Sequence, residues 1–562
     1  MSTSGDSTMN VAQVAAEIFK REGSKYLLCY PLNPLTETCA AVGIKPVIVR
    51  QERIGAHIAD CISRQTSGET VGVFCMQSGP GSENAMGGVA QAFSESVPLV
   101  VIPGGYSRGQ TWLRPYFNAA RSYEHFTKHT EQITSPEQIA PALRRAFTMA
   151  RNGRPGPVLI EIPDDMWFQQ VPGTLDYDPA HTRRYPYAPN AQDVDRAAEV
   201  LINAKRPLIY AGQGVHYAKA WNELREFVEL LEAPVCTSLE GKSAIPESHP
   251  LCLGAGGVSM PRPVFDHVQS SDVVLGIGAS FTESAFAIHF PRRDKVFVHN
   301  TVDSMDINKQ FPTDHALVGD AKLTLAMLTE AVRDRLGGKP RGLTAERAPA
   351  IKKAHEAWLA EWMPLLTSDA KPISPYRVIW DLMQTVDMDN TIITHDSGSP
   401  RDELSPFWRP TRPLGYIGWG KTTQLGYGLG LAMGAKLAHP EALCIHWFGD
   451  AAVGMTGMDV ETAARERIPI LSVMSQNGCM ACEIPRMELS TRLYRTTDIS
   501  GRYAAWAASL GAHAEHVTEP DQITHALVRA IDATKRGQPA FIEFVTTKHK
   551  VFSEFRARPH TV

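Results

Sequence analysis

Residues 442–482 read ALCIHWFGDAAVGMTGMDVETAARERIPILSVMSQNGCMAC. An apolar run, 443–448, ends in Gly449-Asp450 and a series of small residues. A helix-like segment follows, and a second apolar run, 468–474, ends in Gln476-Asn477-Gly478. Strand, tight turn, crossover helix and strand make a βαβ unit with two parallel strands. Both polar clusters then fall at the carboxyl ends of the strands, where open α/β sheets bind ligands. Asp450 and Asn477 are 27 residues apart in the chain, yet the crossover returns them to one sheet edge. A carboxylate and an amide oxygen beside small residues suit a magnesium ion shared with phosphate oxygens, because Mg²⁺ takes few protein ligands. The competing reading is an ordinary βαβ unit whose aspartate caps the helix.

The same alternation extends outward. Upstream, a helix over 375–385 and a strand over 391–394 deliver His395-Asp396-Ser397-Gly398-Ser399-Pro400. The glycine-dense run 418–436, GWGKTTQLGYGLGLAMGAK, lets backbone approach a ligand or another helix closely. These elements define a domain over 375–545. Near the start, a helix over 11–22, strands at 26–30 and 47–49 and a helix over 54–64 lead to a strand over 70–76. Gln77-Ser78-Gly79-Pro80-Gly81-Ser82, a helix over 84–93 and a strand over 97–103 follow, then a helix over 136–151 and a strand over 158–162. The stretches 71–105 and 443–478 share a plan: apolar strand, glycine-led turn, helix with a Met-Gly or Gly-Met pair, then Val-Pro or Ile-Pro. Two similar α/β domains, 11–168 and 375–545, are expected, with a third at 193–336 between them. The fold class is therefore α/β, with three doubly wound parallel sheets. Residues 1–10 read as a disordered tail, 169–192 as a linker, 337–374 as a linker with an exposed helix at 349–362, and 546–562 as a C-terminal tail. In the middle domain Gly212-Gln213-Gly214 suits the first turn of a Rossmann-like unit, but Tyr217 stands where a dinucleotide fingerprint wants its third glycine.

Composition narrows the function. The 562 residues are 43% hydrophobic and 21% charged with a net charge of −4, which argues against a dedicated nucleic-acid binder. No apolar run approaches the roughly 20 residues of a transmembrane helix, and the polar start lacks a signal-peptide pattern. Nine scattered cysteines fit reduced core thiols and a cytoplasmic location. The C-x-x-C at Cys479 and Cys482 has no second pair or histidines to complete a zinc site.

Taken together, Arg50-Gln51-Glu52, Ser78-Gly79-Pro80-Gly81, GYGLGLAMGAK and Gly449-Asp450 with Asn477 resemble the thiamine-diphosphate enzymes of the acetolactate synthase, pyruvate oxidase and oxalyl-CoA decarboxylase superfamily. The resemblance covers nearly the whole chain, as pyrimidine-binding, middle and diphosphate-binding domains. It implies that Glu52 sits at the pyrimidine N1′ and promotes proton loss from the N4′ amine, that Leu425 wedges the cofactor into a bent form, and that the Thr423 carbonyl accepts from N4′. It also implies Mg²⁺ on Asp450, Asn477 and the backbone carbonyl of Cys479. Ser397, Gly398, Ser399, Gly449, Ala451 and Ala452 would line the diphosphate, and Ser78 and Gly79 also fall in the cofactor site. Ala451 and Gln476 depart from the family's usual glycine and asparagine, at positions that need no side chain on the metal. Sites of this family join two subunits, so a homodimer at least is implied, with a homotetramer expected; FAD, which some relatives carry in the middle domain, is left open.

For the substrate, a small molecule, the stretch 449–469 is closer to oxalyl-CoA decarboxylases and 2-hydroxyacyl-CoA lyases. The expectation is a carbon–carbon lyase releasing formyl-CoA from a 2-hydroxyacyl-CoA. The alternatives are a 2-oxo-acid decarboxylase or carboligase resembling acetolactate synthase, and an oxalyl-CoA decarboxylase. Asn118, Glu488, Arg556 and Arg558 are candidate substrate residues, the arginines in a basic tail that could close over a CoA diphosphate. Glu83 and Glu483 are further candidate pocket carboxylates.

Overall fold

The structure is a computed structural model that describes residues 8–284, 286–292, 294–548 and 551–555. Three six-stranded sheets, all parallel, organise it. The first holds β1 (Tyr26–Cys29), β2 (Lys45–Ile48), β3 (Gly72–Met76), β4 (Leu99–Gly105), β5 (His129–Gln132) and β6 (Pro157–Pro163) in the order β2-β1-β3-β4-β6-β5. The second holds β7 (Pro207–Ala211), β8 (Val235–Thr237), β9 (Cys252–Ala255), β10 (Val273–Ile277), β11 (Val296–Thr301) and β12 (His315–Val318) in the order β12-β11-β10-β7-β8-β9. The third holds β13 (Thr391–His395), β14 (Tyr416–Ile417), β15 (Leu443–Gly449), β16 (Leu471–Gln476), β17 (His513–Val517) and β18 (Ala540–Val545) in the order β14-β13-β15-β16-β18-β17. Counted within each sheet, the first and third have one and the same order, 2-1-3-4-6-5, while the second has the doubly wound order 3-2-1-4-5-6. The expectation of three doubly wound α/β sheets, two of them alike, therefore holds.

The central strands are buried along their whole length, as in β3, β4, β6 and β10. Helices cover both faces, so these strands read as continuous apolar runs rather than alternating ones. By contacts the chain divides into two compact units. One holds the residues up to Tyr185 with Leu429–Pro440 and Thr456–Ile468, and the other holds the rest. In the first unit, the helix Glu52–Gln65 is clamped by glycines. A Cβ on Gly88 would lie 2.7 Å from the Arg53 carbonyl oxygen, and one on Gly434 would lie 2.4 Å from that of Ile58. Only a missing side chain lets three helices approach this closely, and the glycine cluster at 426–434 is partly explained by that packing.

In the second unit, Gly212 and Gly214 follow β7 and cross the turn after β10. Their Cβ positions fall 2.4 Å from the Gly278 carbonyl oxygen and 2.7 Å from the Gly278 Cα. These glycines serve a backbone crossing at the switch point of the sheet. The linker helix extends over Thr344–Leu366 and buries Trp358 and Trp362 on one face, so only its other face is exposed. Residues 551–555 are held against the same unit. The Ser553 hydroxyl accepts from the Trp358 indole at 3.0 Å and donates to the Met260 carbonyl at 2.7 Å. Among the described residues no helix is long and apolar enough to cross a membrane.

Candidate active site

The second unit brings three turns together at the carboxyl ends of β13, β15 and β16. After β13, Asp396 is fully buried and its carboxylate is a hub. Oδ1 accepts the N–H groups of Ser397 (2.8 Å) and Gly426 (2.9 Å). Oδ2 accepts the N–H of Gly428 (3.1 Å) and lies 3.3 Å from His446 Nε2. A carboxylate only accepts, so Nε2 carries the hydrogen. Burial holds the His446 pKa below its ordinary value, which fits a neutral imidazole on β15. One side chain thus ties the turn of Ser397, Gly398 and Ser399 to the turn carrying Thr423 and Leu425. Gly398 adopts φ +83°, and among the described residues its Cβ position meets nothing nearer than Cys482 Sγ at 4.0 Å. The cradle it forms is open.

Asp450 opens the helix Asp450–Thr456 directly after β15, and Asn477 follows β16, whose Ser475 pairs with Gly449 in register. The Asp450 carboxylate accepts the N–H groups of Asn477 (3.2 Å) and Gly478 (2.5 Å). Its partners among the described residues are backbone N–H groups alone, and burial raises its pKa to about 6. A buried carboxylate with no cation beside it is costly. The Asn477 side-chain oxygen accepts from the Cys479 N–H at 3.1 Å, on the same edge. Ala451 and Ala452 occupy the first turn of the Asp450 helix. The donor set, one carboxylate and one amide oxygen beside an open glycine cradle, fits a divalent cation and a diphosphate. The two unmet demands, a cation for the charge at Asp450 and an occupant for the space at Gly398, are what such a pair would meet.

In the first unit, Glu52 is the first residue of the helix Glu52–Gln65 and is 5% exposed. Its carboxylate makes no hydrogen bond among the described residues. Tyr123 lies close: burial, and then the charge of Glu52, push its phenol well above the ordinary value, and its hydroxyl donates to the Ser82 carbonyl. Two residues before Glu52, the Arg50 N–H donates to the buried Asp459 carboxylate at 2.7 Å, which also accepts from the Thr462 hydroxyl at 2.8 Å. The Arg465 guanidinium donates to the Ile48 carbonyl at 2.6 Å. The stretch around 457–466 therefore fixes the backbone that presents Glu52. Gly79, at φ +63°, precedes the helix Pro80–Ser94, and its Cβ position lies 2.6 Å from the Tyr106 hydroxyl. Ser78 is half-buried beside it.

Other candidates take different places. Asn118 caps the short helix Ala119–Ser122, accepting the Arg121 N–H at 3.1 Å. Glu488 and Glu83 are exposed, and Glu483 pairs with Arg486 at 3.5 Å. Arg556 and Arg558 lie outside the described residues. Reading the sequence missed Asp396, His446 and Asp459. Each is a polar residue in or beside an apolar run, and that mismatch was the available signal. Cys479 is buried and Cys482 half-buried, with Cys482 Sγ 3.1 Å from the Ser399 hydroxyl. Among the described residues no cluster of three His, Cys, Asp or Glu side chains could hold a metal.

A parallel α/β architecture with two sheets of one strand order, and with carboxylates and glycine turns at strand ends, suits an enzyme that holds a cofactor. The chain matches the family description "Thiamine pyrophosphate enzyme, N-terminal TPP binding domain" over residues 9–132, the central domain over 194–328 and the C-terminal TPP binding domain over 396–544. It is 30% identical over 546 residues to the probable acetolactate synthase large subunit of Methanocaldococcus jannaschii, covering 93% of this chain and 90% of the relative. It is 29% identical over 557 residues to the acetolactate synthase isozyme 3 large subunit of Escherichia coli, covering 93% and 92%. With the acetolactate synthase large subunit of Corynebacterium glutamicum the identity is 28% over 531 residues, covering 89% and 80%. The chain belongs to the thiamine pyrophosphate (thiamine diphosphate) enzyme family.

Proposed function

We propose that this chain decarboxylates a 2-oxo acid and joins the remaining acyl carbon to a second carbonyl compound, the type of reaction that the name acetolactate synthase denotes. One observation carries the reading: relatives matching nearly the whole chain bear that name. Bound thiamine diphosphate supplies a carbon nucleophile and an electron sink for bonds next to a carbonyl. The chain's own residues supply the rest. Asp450, Asn477 and the Cys479 carbonyl hold Mg²⁺, and the backbone of 397–399 with Ala451 and Ala452 binds diphosphate oxygens. The Thr423 carbonyl and Leu425 orient the cofactor rings. Glu52, buried and without a hydrogen-bond partner among the described residues, holds a proton at the pyrimidine N1′.

The lyase reading, with an acyl-CoA substrate, draws on the stretch 449–469 and on the basic tail of Arg556 and Arg558, which lie outside the described residues. Asp459 in that stretch serves the backbone of Arg50. Self-association into a dimer or higher assembly belongs to the proposal and is measured by light scattering, and FAD is read from a visible spectrum of the purified protein.

The decisive assay supplies thiamine diphosphate, Mg²⁺ and pyruvate and measures CO₂ together with the coupled carbon–carbon product. Formyl-CoA from 2-hydroxyacyl-CoAs with no turnover of free 2-oxo acids would overturn the reading. Glu52→Gln should lower turnover by roughly 10²–10⁴-fold, the range of a positioned acid–base group.

A further inference from the structure

A cavity of about 900 Å³ in the second unit shares no residue with the candidate active site. Its walls come from β9 with the segment before it, from the linker helix Thr344–Leu366, and from the helix Pro375–Thr385 with residues 406–409. The floor is apolar, set by Trp358, Phe407, Trp380, Met383 and Leu359. Trp358 stacks on Phe407 at 5.0 Å, and its bond to Ser553 fixes the indole plane. The volume lies in the range of small-molecule sites, and the lining is of their usual kind.

The charges at this cavity are not balanced. Arg409 is exposed and donates one N–H to the Glu247 carbonyl at 2.9 Å, but forms no ion pair among the described residues. Lys352 has only Glu356, at 3.8 Å, with both side chains largely in solvent, a pair worth little. Glu247, the other lining carboxylate, is neutralised by the buried ammonium of Lys242. His355 donates Nε2–H to the Cys252 carbonyl at 3.4 Å. Burial, and then the charge of Arg409, lower its pKa to about 4, so it is uncharged at neutral pH. What remains is a guanidinium without a carboxylate among the described residues, in a lining that also holds Trp358 and Phe407.

We propose that this cavity binds an apolar or aromatic carboxylate, its ring on the Trp358 and Phe407 floor and its carboxylate on Arg409. A guanidinium grips a planar carboxylate in bidentate fashion, and partial desolvation at the mouth strengthens that bond. The inference does not depend on the 2-oxo-acid reading, since it concerns a separate site and is read by binding alone.

The test is calorimetric titration of the full-length chain with indole-3-acetate and with its neutral counterpart indole-3-acetamide. One saturable site is expected for the acid, with the amide at least about tenfold weaker, a loss of about 1.4 kcal/mol. Arg409→Gln, a change at an exposed position, should weaken the acid by a similar factor. Met383→Trp should abolish binding by filling the cavity; if it perturbs the circular dichroism, Leu359→Trp fills the same space. Asp450→Asn should leave the affinity unchanged. Absence of saturable binding, equal affinity for acid and amide, or undiminished binding after either cavity-filling change would overturn the proposal.

Discussion

Replacing Asp396 with asparagine tests whether one buried carboxylate organises the cofactor turns. Four donors point at it: the N–H groups of Ser397, Gly426 and Gly428, and His446 Nε2, at 2.8 to 3.3 Å. Asparagine keeps one acceptor oxygen and turns the other into a donor. If the new NH₂ took the place of Oδ1, two backbone N–H groups would lose their partner. In the place of Oδ2 it orphans one backbone N–H, that of Gly428, because His446 can accept at Nε2 by moving its proton to Nδ1, an atom already without a hydrogen-bond partner among the described residues. The second arrangement wins. It newly orphans one buried backbone N–H, at about 1–3 kcal/mol, and replaces charge-assisted bonds by neutral ones, so the sum is on the order of 2–4 kcal/mol. Cofactor binding has to restore the loosened turn around Leu425, so that energy appears in the dissociation constant. A rise of roughly 30- to 700-fold is expected for thiamine diphosphate at saturating Mg²⁺. Trp419 is a built-in reporter, because its indole N–H donates to the His395 carbonyl at 3.2 Å and its ring stacks on His395 at 4.8 Å. Tryptophan emission titrated with cofactor therefore reads both the turn and its occupancy. A variant with affinity within threefold of the parent and unchanged emission would refute the hub.

Three further outcomes follow from the packing and the charges. Gly434→Ala adds a Cβ 2.4 Å from the Ile58 carbonyl oxygen; overpacking at about 1–3 kcal/mol outweighs the roughly 1 kcal/mol gained in helix propensity, so urea unfolding should show a net loss. Glu403 is buried, and burial with the neighbouring Asp402 charge lifts its pKa to about 8. The folded state therefore holds a proton that the unfolded chain has released above about pH 4.5. Stability should fall as pH rises from about 5 to 8, by about 1.4 kcal/mol per unit from this group, and Glu403→Gln should flatten that slope in thermal melts. Asp459→Ala removes the acceptor of the Arg50 N–H, and should cost about 1–3 kcal/mol and lower turnover while leaving the order of preferred substrates unchanged, as a panel of 2-oxo acids would show.

Legibility followed burial. The helix Pro375–Thr385 stands where its apolar pattern puts it, because it is covered by the core that its pattern implies. Three of the strands that pattern reading passed over are short or partly exposed. β5 reads HTEQ and is nowhere fully buried, β17 reads HAEHV, and β14 is two residues long. Edge strands need no apolar run, so none announces them. The helix Asn33–Ala41 was hidden by Pro34, which sits in its first turn, where a missing N–H is harmless. At the site, Asp450 and Asn477 were visible because chemistry and sheet edge coincide in one βαβ unit. Asp396 was visible only as a letter. Its role depends on Gly426, Gly428 and His446 converging from two other segments, and no local pattern encodes that convergence.

The shared strand order of the first and third sheets bears on what duplication can and cannot dictate. In both, a glycine at positive φ precedes a helix: Gly79 at +63° after β3, and Gly398 at +83° after β13. These turns follow the third strand of one sheet and the first strand of the other, so the order of strands does not choose which turn opens. Space does. The Tyr106 hydroxyl occupies the Cβ position of Gly79 at 2.6 Å, whereas that of Gly398 is open to 4.0 Å. The carboxylates are distributed in the same way. Asp450 follows the third strand of its sheet, and the equivalent turn after β3 carries Ser78 and Gly79, with no acid. Glu52 follows the second strand of its sheet, and the segment after β14 carries the glycine run, with no acid until Glu441. One fold, used twice, thus presents a lone acid that suits proton exchange in one copy and a carboxylate with an amide that suits a cation in the other. Exchanging Glu52 for aspartate would shorten the reach by one methylene at a helix start held by Gly88 and Gly434, so the backbone could not follow. Turnover should fall while Mg²⁺ affinity, read by calorimetry, stays put, and a parallel loss of both would show that the two copies do not divide the chemistry in this way.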